Sequence, residues 1–190
     1  MNTKSNNKNT NYVILDIETT GLSCCDNSII EIAAIKIKNG IISDTFESLI
    51  NPGCLIPPFI TNLTGISNNM VCDAPCINDV LNRFIYFVEQ LPLIAHNASF
   101  DMRFIHHNLS KCGLSINNEV IDTLKLSRQL YPHFPSHKLG VVANNLGVRV
   151  KNAHRAMADV DILHNVFELM LCDIQKNRVN TKQDISSIYS

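Results

Sequence analysis

Apolar residues fall in short extended runs over the first part of the chain and at helical spacing after it. Tyr12 to Ile17 is an apolar run of strand length, and the spacing predicts a first strand there. Ile30, Ile32, Ile35 and Ile37 carry the signal of a second strand. Asn39-Gly40 is a hairpin turn that leads into a third strand from Ile41 to Ile50. "NPGCLIPP" then ends the meander, because its prolines cannot continue a sheet.

Asp79 to Leu91 sets Val80, Leu81, Phe84, Ile85 and Val88 at helical spacing, and "LPLIAHN" after it reads as a short buried strand. A helix is predicted over Ser99 to Cys112, with Gly113 suited to the position just past its end. "EVID" is another short strand, and Asp122 caps a helix holding Leu126 and Leu130. Lys138 to Leu146 forms a helix stopped by Gly147, and the last and longest helix runs from Arg155 to about Cys172. The order predicts an α/β fold with a mixed five-stranded sheet and helices on both faces. Three strands form an antiparallel meander, the third antiparallel and the later strands parallel to the first. The folded domain spans 12–173, between a frayed tail over 1–11 and a polar tail over 174–190.

Composition narrows this modestly. The chain has 190 residues, 45% of them hydrophobic, enough for one well-buried domain and too few for two. A formal charge of −1 gives no global basic field, so any polyanion must be met at a local site. Seven cysteines with no CxxC pair read as small buried hydrophobes in a reducing compartment. "MNTKSNNKNT" has no signal-peptide core, and no stretch approaches a membrane span. A cytoplasmic protein with no membrane partner is expected.

The chemistry lies where the apolar pattern breaks. Asp16 and Glu18 interrupt the first strand two positions apart, and so share a face. "AHNASFDMRFI" puts Asp101 in the first turn of an apolar helix. "NAHRAMADVDIL" carries His154, Asp159 and Asp161. In a sheet of this kind strand ends and helix starts converge on one crevice, which would gather four carboxylates. Mutual repulsion would protonate at least one of them without a counter-charge, and hard divalent ions supply it. Two helical positions are ~200° apart, so Asp159 and Asp161 cannot both face the crevice. Ala156, Val160, Leu163 and Phe167 mark the apolar stripe, which leaves Asp159 at its edge and Asp161 in solvent. His154 would be ~140° from Asp159 were both helical, so it works best on the loop before the helix. The other histidines read as surface residues, with His96 beside Asn97 as a support to the site. Arg103, Arg128, Lys138 and Arg155 read as solvated helix faces able to touch phosphates.

"DIETTGL", "HNASFD" and "HRAMADVD" resemble, in order, the three motifs of the DEDDh 3′→5′ exonucleases. That family includes the proofreading epsilon subunit of bacterial DNA polymerase III and the PolC-type exonuclease domain. "ESLINPG", "NLTGISNNMV" and "DTLKLSRQLYP" are similar to the PolC-type sequences as well, and the likeness runs from about Tyr12 to Leu171. The resemblance implies an RNase H-like fold and two divalent cations, Mg²⁺ or Mn²⁺. Asp16, Glu18 and Asp159 would hold the first, and Asp16 with Asp101 the second. His154 would take a proton from the attacking water. Thr19, Thr20 and Gly21 would approach the terminal nucleotide, and Leu63, Thr64 and Gly65 would pack near the 3′ end. The implied substrate is a single-stranded or frayed 3′ end of DNA, with RNA 3′ ends as the alternative. A DNA polymerase catalytic subunit is the implied partner; a non-catalytic, polymerase-associated role is the rival reading.

Overall fold

Strand β1 (Tyr12–Thr19) is buried on both faces, which places it inside the sheet. Tyr12 and Ile14 point into one apolar cluster, while Val13, Leu15 and Ile17 point into another. The computed structural model describes residues 10–150 and 154–177, the last by its backbone alone.

β2 (Ile29–Lys38) pairs antiparallel with β1, and β3 (Ile41–Leu49) antiparallel with β2. The turn between them is at Asn39 and Gly40, both left-handed with φ of 55° and 71°, as a tight hairpin requires. β4 (Leu93–Ala95) and β5 (Val120–Asp122) add in parallel on the other side, giving the order β3-β2-β1-β4-β5. The expected mixed five-stranded sheet is present. The strand that opposes the rest is β2, however, not the third: two antiparallel steps return β3 to the direction of β1.

Seven helices are found among the described residues: α1 (Pro58–Thr64), α2 (Asn68–Val71), α3 (Ile77–Val88), α4 (Ala98–Lys111), α5 (Thr123–Leu130), α6 (Leu139–Asn145) and α7 (Ala156–Asn177). α3 and α4 cover one face of the sheet, and α5, α6 and α7 the other. Asp122 caps α5 as expected, accepting from the Leu124 amide at 3.0 Å. α7 is held at its far end by two phenols. Tyr12 Oη donates to Glu168 at 2.6 Å, and Tyr131 Oη donates to Asp173 at 2.8 Å.

α1 and α2 were not anticipated, since Pro57 and Pro58 read as a stop; Pro58 instead opens a helix, where proline's missing N–H costs nothing. α3 begins two residues earlier than predicted and ends at Val88, where Glu89 turns to φ 53°. α7 continues past Cys172 to Asn177, so 174–177 belongs to a helix, with Ile174 packed on the core. Thr10, placed in the frayed segment, is buried, and its carbonyl accepts from Gly40. The rest of the two expected tails, 1–9 and 178–190, lies outside the described residues. No cysteine is buried and all seven are free. They sit at loops and helix margins, and the core is filled by branched aliphatic and aromatic side chains instead.

Candidate active site

The even-numbered face of β1 runs out of apolar residues at its carboxyl end. Tyr12 and Ile14 pack on the α7 side, and the same face then presents Asp16 and Glu18. α7 crosses there, its apolar stripe seated on β1 and β2, and its first turn carries Asp159. One carboxylate oxygen from each of Asp16, Glu18 and Asp159 lies within 4.8 Å of the other two. Asp101 arrives from the first turn of α4, on the opposite face, and is 3% exposed. Its carboxylate accepts backbone hydrogen bonds from Asp101 and Ile17, and its charge bears directly on Asp16.

Every member of this group is driven toward its protonated form. Burial holds the Asp16 carboxyl well above the usual range, with the charges of Asp101, Glu18, Asp159 and Glu31 adding to it. Burial lifts Glu18 to about 7, assisted by Asp159 and Glu31 and opposed by Arg155. Burial lifts Asp101 to about 8 against its two backbone hydrogen bonds. Asp159 is raised by burial, while the amide and charge of His154 pull it back. An all-oxygen set short of positive charge is what a hard divalent cation fits.

Carboxylates ionise near pH 4 in the unfolded chain, whereas in the fold Glu18 is lifted to about 7, Asp101 to about 8, and Asp16 and Asp159 are raised as well, so the unfolded chain binds fewer protons across that window. In excess chelator, stability should fall by an amount on the order of a few kcal/mol between pH 4.5 and 8. Glu18→Gln should flatten the slope, and a divalent ion should remove most of it. Urea melts across pH check this, and identical slopes with and without chelator would contradict it.

His154 stands on the connection before α7, exposed and left-handed at φ 71°, and its amide donates to Asp159 Oδ2 at 3.2 Å. Residues 151–153 of its motif lie outside the described residues. Asp161 is exposed, away from the acidic group, as the helix geometry required. Thr19 and Thr20 are buried and use their hydroxyls on the turn itself. Thr19 Oγ1 donates to the Gly21 carbonyl at 2.6 Å, and the Ser28 amide donates to Thr20 Oγ1 at 2.9 Å. A Cβ on Gly21 would stand 2.6 Å from Asn27 Oδ1, so only glycine fits without displacing that side chain. In α1, Leu63 is 51% exposed, Thr64 is buried with its hydroxyl donating to the Ile60 carbonyl, and Gly65 ends the helix at φ 74°. Arg103 donates to the Leu22 carbonyl at 3.3 Å, tying the loop after β1 to α4. Arg128 and Lys138 line one open depression with His96, Asn97 and His137. His96 is held there between Thr123 Oγ1 and the His137 carbonyl.

Sequence reading missed Glu31. It lies opposite Glu18 in the β1–β2 register and is fully buried. Arg155, expected on a solvated face, closes on it: Nη2 donates to Oε1 at 2.6 Å and Nε to both oxygens at 3.2 Å. The Ala156 amide donates to Oε2 at 2.9 Å, so Glu31 also receives the first backbone N–H of α7. A lone carboxylate inside an isoleucine-rich strand was the available signal, because such a charge must find a cation.

Fold and site together set a cluster of carboxylates on a mixed five-stranded sheet. The exonuclease family (RNase_T) matches residues 13–167. The chain is 45% identical over 177 residues to the DNA polymerase III PolC-type of Caldanaerobacter subterraneus, a match covering 93% of the chain and 13% of that protein. It is 44% identical over 174 residues to the Clostridium perfringens PolC-type enzyme, covering 90% and 12%. The chain thus spans about an eighth of the length of these curated relatives. Among solved structures, Exonuclease X in complex with 5′ overhanging duplex DNA aligns at TM-score 0.68 and 26% identity, over 94% of this chain and 97% of that one. The nuclease domain of 3′hExo, a DEDDh family member bound to rAMP, shares the fold at TM-score 0.75 and 20% identity, over 94% and 100%. The chain belongs to the exonuclease family. It is an exonuclease domain, a hydrolase of phosphodiester bonds.

Proposed function

We propose that this domain removes nucleotides from single-stranded or frayed 3′ ends of DNA, releasing nucleoside 5′-monophosphates in proofreading or repair, with Mg²⁺ or Mn²⁺ as cofactor. The observation that carries the reading is the meeting of Asp16, Glu18 and Asp159 within 4.8 Å, with Asp101 buried beside them. Asp16, Glu18 and Asp159 would hold one ion, and Asp16 with Asp101 a second. Bound there, such ions supply acidification of the attacking water and stabilisation of the leaving 3′ oxygen.

The chain's own part is proton handling and placement. His154, exposed beside Asp159, receives the proton of the attacking water, and imidazole is the side chain suited to that near neutral pH. Its left-handed backbone turns the residue out of α7 while its amide stays bonded to Asp159. Thr19, Thr20 and Gly21 shape the turn beside the terminal nucleotide through backbone rather than free hydroxyls. Leu63 offers the apolar surface on which a 3′-terminal base can rest, on a helix end fixed by Thr64 and Gly65.

DNA is favoured because the relatives at 41–45% identity are DNA polymerases. The same relatives make a polymerase catalytic subunit the expected partner and the cytoplasm the expected place of work. No helix among the described residues is long and apolar enough to cross a membrane. The RNA reading rests on the 3′hExo domain, which holds rAMP on the same fold.

The test is a labelled single strand degraded in Mg²⁺, with a matched RNA strand alongside. Shortening from the 3′ end should stop in EDTA. His154→Ala should cost about 10²–10⁴-fold in rate while leaving the Mg²⁺-induced rise in melting temperature intact. Degradation that continues in chelator would overturn the proposal. A faster RNA reaction would reassign the substrate, and a tight polymerase complex without turnover would favour the non-catalytic reading.

A further inference from the structure

We propose that Cys24, Cys25 and His107 form a second metal site, for a thiophilic divalent ion such as Zn²⁺, apart from the acidic centre. Cys24 and Cys25 lie in the loop after β1, and His107 lies on α4. One ligand atom from each is within 4.8 Å of the other two. Zn–S bonds of ~2.3 Å and Zn–N bonds of ~2.0–2.1 Å put tetrahedral donor atoms roughly 3.5–3.8 Å apart. Closure on an ion therefore needs a contraction of at most about 1.3 Å, within reach of an exposed loop.

A second observation points the same way. His107 Nε2 is buried and has no hydrogen-bond partner, a state that polar atoms inside proteins rarely keep without a ligand. The sulfurs are also in contact. The Cys24 side chain hydrogen-bonds to the Cys25 thiol, and an ion bound there would displace the thiol protons.

Donor chemistry separates the two sites. Two sulfurs and an imidazole are a soft set, whereas the catalytic group is all oxygen, so hard and soft ions are sorted by ligand type. His107 follows Asp101 by six residues, ~9 Å along the α4 axis and ~120° around it, and so looks out from a different side of the helix. Three protein ligands leave the fourth position to water, and exposed Cys25 gives the ion a way in. The consequence is mechanical. In the described structure one hydrogen bond, Arg103 to the Leu22 carbonyl, joins this loop to α4. A bound ion would clip the segment just past the Thr19–Gly21 turn to the helix that carries Asp101.

Co²⁺ is the probe, added to reduced, chelator-stripped protein. One equivalent should produce a thiolate-to-cobalt charge-transfer band in both the wild type and Asp16→Asn, and equimolar Zn²⁺ should abolish it. Cys24→Ser and Cys25→Ser should each lose at least half of the band and the double variant all of it. His107→Gln should weaken binding at least tenfold, and Cys54→Ser should change nothing. All these positions are exposed or half-buried, and each variant should keep the wild-type far-ultraviolet circular dichroism spectrum. No band in the wild type, a band surviving the double substitution, or unchanged affinity in His107→Gln would overturn the site.

Discussion

Asp16→Asn should abolish exonuclease turnover and, in metal-free buffer, make the chain more stable. The two effects share one cause. Asp16 is the residue on which the charges of Asp101, Glu18, Asp159 and Glu31 all act, in a position where burial already disfavours the anion. An amide of nearly the same shape removes that repulsion, so the urea midpoint at pH 8 in EDTA should rise. It also removes the oxygen ligand that the two proposed ions would share. Several kcal/mol of transition-state stabilisation would be lost, which is a rate decrease of about a thousandfold or more. Addition of Mg²⁺ should raise the wild-type melting temperature and barely move that of the variant. A variant less stable than wild type in EDTA, or one retaining a tenth of its activity, would show that the carboxylates do not form one electrostatic unit.

The second large effect is expected at Arg155. Its guanidinium is the partner of Glu31, whose side chain is wholly buried. Arg155→Ala would strand that carboxylate directly across the strand pair from Glu18, where like charges repel. Removing one partner of a buried pair costs 3–5 kcal/mol. Arg155 is 38% exposed, so about 2–4 kcal/mol is the fitting expectation. Activity should fall as well, because Glu31 also binds the Ala156 amide and so fixes the start of the helix that carries Asp159. The double variant Glu31→Gln/Arg155→Ala should recover most of the lost stability, since no buried charge is then left alone. Denaturant melts of the four proteins decide it; a double variant no better than Arg155→Ala would mean that the guanidinium acts through packing alone.

These two cases mark how far the residues could be read without coordinates. Asp16, Glu18, Asp101 and Asp159 were visible because each interrupts an apolar pattern whose period fixes its direction. The Asn39-Gly40 hairpin and the Asp122 cap were visible because their chemistry is local. Glu31 was not, since its meaning depends on Arg155, 124 positions away, and no local pattern carries that pairing. α1 escaped because proline both ends and begins helices, and only the following backbone decides which. The cysteines were misjudged from composition: the core found enough isoleucine, leucine and phenylalanine without them.

The phenol contacts of Tyr12 and Tyr131 give α7 a further property. They grip the helix at Glu168 and Asp173, two turns or more beyond the end that holds Asp159. Tension applied at Asn177 would first have to break those two bonds and peel Met170 and Leu171 from the core. The last turns of α7 thus work as a strain relief, so that a tug on the far end is absorbed before it can disturb the aspartate at the other.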